Sequence, residues 1–224
     1  WEERKAMVRP VDSDYYTQAE LAVTLKPLDV FDRAPRAAGS RQHGEVMISS
    51  IATIFKKLKL DTHENVGWGS IDLPEMELHT TAWWVALDPQ GVADWRREEL
   101  DAALVGAGRA LQTVASVLLM ADAHDLGLVA QVQSPHAEQP VIYLWEAAPG
   151  GVGMSPRLFD RTEELIEGAL DLVSECDCEV GCPACVGPRG ESRLDGRALA
   201  TRLLRHLTGT DSSGVAATPS EAAA

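Results

Sequence analysis

The chain has 224 residues, 45% hydrophobic and 24% charged, with a formal net charge of −14. That composition suits a globular domain with one sizeable core. The acidity excludes a surface that binds duplex nucleic acid through general phosphate neutralisation and leaves room only for a local basic patch.

The sequence starts at Trp1 and its first methionine is Met7. No secretory leader opens it, and no apolar run reads as a membrane span, so it is expected to be a cytoplasmic piece of a longer polypeptide without membrane contact.

In chain order, residues 20–31 alternate apolar and polar side chains, and residues 45–55, rich in β-branched types, run on to Leu60. Both read as strands. Residues 32–44 between them hold Pro35, Gly39 and four charged arginines or aspartates, which predicts a hairpin loop. Residues 76–87, with Thr80, Thr81, Trp83, Trp84 and Val85, are a third strand, and the three together predict an antiparallel sheet. If only one face of that strand is covered, one tryptophan points outward, to stack on a base or, more in keeping with its size, to pack on a neighbouring domain.

Over 94–120 apolar residues recur at helical spacing, among them Leu100, Leu104, Ala107, Leu111 and Leu118. This predicts one long buried helix with Gly106 and Gly108 as weak points. Residues 126–133 and 140–147 read as short strands. Ser155 and Pro156 are well suited to the cap and first position of a helix whose apolar face runs from Leu158 to Val173. A last helix is predicted over 194–207, followed by a flexible tail over 208–224. The fold class is therefore α+β: an antiparallel sheet packed by a long helix, with a helical C-terminal part. The expected organisation is one domain over 1–207, sheet-rich over 1–90 and helical over 91–207.

All four cysteines, Cys176, Cys178, Cys182 and Cys185, fall within ten positions. Four thiolates so spaced are able to enclose one metal ion, and a closed tetrahedral set is the pattern of structural zinc. An iron–sulfur cluster is the rival, since it also uses four cysteines. Disulfides or free buried thiols are disfavoured: C-x-C closes a short, strained loop, and nothing marks the chain as secreted.

Other features carry weaker chemistry. Pro149-Gly150-Gly151-Val152-Gly153 precedes a helix, where backbone N–H groups bind anions or simply make a tight connection. His63 and Glu64 are a candidate acid–base pair within a turn-rich stretch, but no nucleophile or open metal site accompanies them. Asp122-Ala123-His124-Asp125 resembles an acidic magnesium box; no G-x-x-x-x-G-K-[ST] loop exists here, so it reads as a helix end. Residues 186–207 carry five arginines against two acids. Arg189, Arg193 and Arg197 are the candidate nucleic-acid contacts there, weighed against a solvated helix face.

Thr62-His63-Glu64-Asn65-Val66-Gly67-Trp68-Gly69, then residues 73–84, then the glycine-rich turn, then the cysteine cluster with Pro183 and Val186, occur in that order. This arrangement resembles the C-terminal zinc-binding domain of MrfA-like DExH-type superfamily-2 helicases, bacterial relatives of the Hrq-type helicases. The resemblance implies zinc on Cys176, Cys178, Cys182 and Cys185. It also implies a non-catalytic accessory domain of an ATP-dependent 3′–5′ DNA helicase of DNA repair, with motor domains in cis or in trans and DNA reached through the assembled helicase. The motor itself is lacking in this chain. A stand-alone interaction module beside a separate helicase subunit is the alternative.

Overall fold

In the structure, a computed structural model that describes residues 8–133, 139–187 and 194–209, six strands form one antiparallel sheet among the described residues. They are β1 (Tyr15–Arg36), β2 (Gly39–Lys59), β3 (Asn65–Ser70), β4 (Met76–Leu87), β5 (Leu126–Gln131) and β6 (Val141–Glu146), ordered β1-β2-β4-β6-β5 with β3 on β2. The helices are α1 (Arg97–Leu119), α2 (Met154–Asp160), α3 (Thr162–Ser174) and α4 (Gly196–Thr208). The described residues fall in two compact units, one within Trp1–Thr24 and Ser49–Glu77, the other within Leu25–Ile48 and Leu78–Ala224.

The hairpin loop expected over 32–44 is almost all strand: β1 ends at Arg36 and β2 begins at Gly39. Proline and arginine are tolerated because β1 is an edge strand, where a missing N–H costs no ladder bond on the solvent side. Arg36 is buried to 7% side-chain exposure, pairs with Glu163 and donates to Leu207 O at 3.0 Å. It is an anchor to α3 and α4, not a loop residue.

In the first unit, β3 runs antiparallel to β2 with Trp68 opposite Lys56 and Gly69 opposite Phe55. A Cβ at Gly69 would lie 2.6 Å from the Phe55 ring, so glycine is what lets that ring lie flat on the strand. Two glycines and turn-forming neighbours hide this strand from periodicity.

In the second unit β4 and β6 are central. Trp83 and Val85, with their β6 partners Leu144 and Ile142, belong to the core shared with α1, α3 and α4. Trp83 Nε1 donates to Thr162 Oγ1 at 3.0 Å. The alternating positions Trp84 and Tyr143 share the opposite face, with ring centroids 5.5 Å apart. Both tryptophans are buried, at 0% and 3% exposure, so neither points outward. The condition for an outward ring is not met, because β4 is covered on both faces.

α1 is long and apolar enough to cross a membrane by length and composition, at mean hydropathy 1.5, which corrects the view that no run qualifies. Its apolar stripe is spent on β5, β6, α3 and α4. Gly106 is a contact point rather than a weak one, since a Cβ there would sit 3.1 Å from Ala200 Cβ of α4.

The single helix expected from Pro156 to Val173 is two. Arg161 breaks it with φ −104° and ψ 24°, and donates Nη1 to Leu118 O at 2.9 Å at the end of α1.

Gly106→Val should force a branched side chain between α1 and α4. Overpacking of this kind costs about 1–3 kcal/mol. Urea denaturation should show a lower midpoint with unchanged slope; an unchanged midpoint would mean the two helices are free to separate.

Candidate metal centre

Two residues beyond α3 the chain turns into an irregular loop, and α4 leads away from its far side. This loop gathers the four thiols. Cys176 Sγ lies 3.4 Å from Cys178 Sγ and 3.7 Å from Cys182 Sγ, while Cys185 Sγ lies 3.6 Å from both Cys178 and Cys182. All four sulfurs fall within 4.8 Å of one another. A disulfide needs about 2.05 Å, so no pair is bonded and all four cysteines are free. A tetrahedron of sulfurs around zinc, at Zn–S about 2.3 Å, has edges of about 3.8 Å. The observed spacings fit one zinc ion. An iron–sulfur cluster interposes its own iron and sulfide among the cysteines, and sulfurs this close leave no room for them.

The thiols differ in acidity. N–H groups of Ala184 and Cys185 aimed at its sulfur bring Cys182 down to about 7. Burial pushes Cys185 up to about 12 and raises Cys178. Cys182 is thus close to thiolate at neutral pH, and Cys178 and Cys185 need a cation's field to ionise. Zinc, when bound, supplies that field and a rigid crosslink. A closed four-thiolate set offers no open position for catalysis.

Arg197, in the first turn of α4, donates to three carbonyls: Nε to Val173 at 2.9 Å, Nη2 to Ser174 at 2.8 Å and Nη1 to Cys178 at 2.6 Å. The structure thus brings Arg197 to the cysteine loop. Arg189 and Arg193 lie outside the described residues.

The glycine-rich turn at 149–153 has its anion already, from within the chain. Glu146, fully buried, accepts from Thr81 Oγ1 at 2.8 Å, Val152 N at 2.5 Å and Ser155 N at 2.7 Å. Burial acts to raise its pKa, but the donated hydrogen bonds outweigh it and the net direction is downward. The carboxylate takes the place expected of Ser155 as cap: the N-cap is Gly153 at φ 86°, and Ser155 Oγ has no partner. Sequence reasoning missed Glu146; its only signal was an acid at the end of an apolar strand.

His63 and Glu64 sit in the exposed turn between β2 and β3. His63 Nδ1 meets the Tyr16 hydroxyl at 3.2 Å, and Glu64 accepts from Lys59 Nζ at 3.1 Å and Thr62 Oγ1 at 3.2 Å. These side chains shape the turn. Asp122 and Asp125 close the turn after α1, Asp125 Oδ2 accepting from Asp122 N at 2.9 Å, with Met120 left-handed at φ 54°.

Comparison with known proteins places these features. Residues 107–186 match the family model of the MrfA Zn-binding domain. An uncharacterized ATP-dependent helicase of Bacillus subtilis (strain 168), YprA, is 37% identical over 207 residues, which is 92% of this chain and 27% of that protein. The crystal structure of the DUF1998 helicase MrfA bound to DNA superposes with a TM-score of 0.68 at 35% identity, covering 88% of this chain and 26% of that one. A second MrfA structure, bound to DNA and AMPPNP, gives a TM-score of 0.55 at 35% identity over 87% of this chain and 23% of that one. The chain therefore spans about a quarter of the length of these relatives.

Purified reduced protein should carry one zinc per chain by metal analysis. Iron with visible absorption, or no metal at all, contradicts this. Since protons compete for the sulfurs, zinc should be released as pH falls. Cys185→Ala should match chelation, speeding hydrogen exchange over residues 158–173 and 196–207 more than over β4 and β6. Slow exchange in those helices after zinc removal contradicts the crosslink.

Glu146→Gln should destabilise the fold by about 2–3 kcal/mol at neutral pH, the scale of lost charge-assisted hydrogen bonds. A depressed carboxyl contributes stability above its unfolded pKa, about 4.3, and loses it as pH falls through the folded value. The gap between wild type and variant in urea titrations should therefore narrow below about pH 4.3. A gap that stays constant into acid would show that Glu146 is not ionised in the fold.

Proposed function

With residues 107–186 matching the MrfA Zn-binding domain, we propose that this chain is the non-catalytic, zinc-stapled accessory domain of an ATP-dependent DNA helicase that works in DNA repair in the cytoplasm. The observation that carries the reading is a closed four-thiol site embedded in a chain 37% identical to YprA along nearly its whole length. The motor domains are its partners, in cis or in trans, and DNA reaches it through the assembled enzyme. Its chemistry in that setting is mechanical. The staple keeps α3 and α4 rigid, and the domain supports the motor and guides the strand that leaves it.

The net charge of −14 makes general phosphate binding by the isolated chain unfavourable, so any DNA contact has to be local. Arg189 and Arg193 are the residues proposed for it. Arg197 joins them as a weaker third candidate, because three of its N–H groups are already spent on carbonyls.

The chain alone should hydrolyse no ATP, and should bind single-stranded or duplex DNA weakly. Reversing charge at Arg189 and Arg193 together should weaken that binding alike across sequences and lower its salt slope by roughly one unit per lost contact. Zinc content should stay unchanged. Measurable ATPase activity in the purified chain would defeat the accessory reading. An unchanged salt slope would return both arginines to the solvated surface.

A further inference from the structure

We propose that Arg197 is the positioning residue of the metal centre, holding the cysteine loop in its ligating shape by tying it to the last turn of α3. The inference rests on the zinc reading above.

Its guanidinium reaches Cys178 O at 2.6 Å, Val173 O at 2.9 Å and Ser174 O at 2.8 Å. Val173 and Ser174 close α3, and the last carbonyls of a helix have no partners within it. One planar fork therefore caps α3 and grips the carbonyl of a ligand residue. The donors of a guanidinium are fixed relative to one another, so the three carbonyls are fixed as well.

The backbone of the same residue adds a second hold, Arg197 N donating to Val180 O at 3.2 Å. Gly181 follows with φ +117°, and a Cβ there would fall 2.6 Å from Val186 Cγ2 and 3.5 Å from Arg197 N. The first turn of α4 thus grips the loop at two points: at Cys178, and at Val180 where the chain turns toward Cys182. Arg197 touches no sulfur and acts through the carbonyl of Cys178. Its positive charge also favours a centre in which four thiolates exceed the charge of one zinc by two.

The neighbouring Arg202 has other contacts, pairing with Asp94 at 2.7 Å and lying over the Trp95 ring at 4.0 Å. It serves as the control on the same helix.

The test uses the zinc-loaded chain with Arg197→Lys, Arg197→Met and Arg202→Ala. Partners that orient metal ligands are commonly worth about 10–100-fold in metal affinity. Arg197→Lys keeps charge and stem but lacks the fork, so zinc transfer to a chromogenic chelator should tighten toward the chelator by a factor in that range. The thiolate-to-metal absorption of the cobalt-substituted protein should shift, with helix content by circular dichroism unchanged. Arg202→Ala should hold zinc as wild type does. If Arg197→Met fails to fold, Arg197→Lys alone decides. Wild-type protein without zinc defeats the metal reading itself. Wild type with zinc, alongside Arg197→Lys with wild-type zinc retention and an unchanged cobalt spectrum, overturns the role of Arg197 only.

Discussion

Four sulfurs within 4.8 Å of one another, on a loop too short and irregular to have a core of its own, set the conditions for the helical part of the second unit. A thiol set this dense is unfavourable once ionised, because like charges repel, and inert when protonated. A dication resolves the conflict, and its binding free energy becomes folding free energy for whatever the loop connects. The loop connects α3 and α4, both packed on α1, so a local coordination event stiffens three helices at once.

The same economy of local charge appears at Glu146. A buried carboxylate is costly unless its lone pairs are filled. Here two backbone N–H groups and a threonine hydroxyl fill them, and in doing so they fold the glycine-rich turn and start α2. Gly151 can be nothing larger, because at φ +73° a Cβ would lie 2.2 Å from Thr81 Oγ1. The turn that looks from sequence like a cradle for an external anion is built around an internal one. α2 and α3 then carry the chain to the first cysteine, so the carboxylate and the thiols lie at the two ends of this pair of consecutive helices.

What was legible in the sequence follows from the range of the interactions. The four cysteines fall within ten positions and declare their chemistry by spacing alone. β4, at 76–87, and the body of α1 carry strong periodic patterns and fall where the pattern puts them. Most of the errors are cases where a distant contact overrides a local preference. Pro35, Arg36 and Gly39 have loop character, but Arg36 is held by Glu163 and Leu207 far along the chain. The break at Arg161 depends on the end of α1, and the inward Trp84 on a Tyr143 that no local rule pairs with it. β3 was hidden for a different reason: Gly69 makes room for the Phe55 ring, and with Gly67 it erases the alternation that marks a strand.

Arginine 197 shows how a charge pattern misleads about role. A run of arginines in an acidic chain invites an external anion, because net charge is what the sequence displays. The carbonyl dipoles at a helix end are invisible there, yet to a guanidinium they are an equally good partner, already in place and needing no ligand. The end of α3 supplies two such carbonyls and the cysteine loop a third, all within 3 Å of its nitrogens. A fork so satisfied gains less from a phosphate than a free one, since a new contact has to replace bonds already made. The basic residues best placed for a mobile polymer are accordingly those without a carbonyl to hold, and an arginine half-buried against a metal loop serves the loop first.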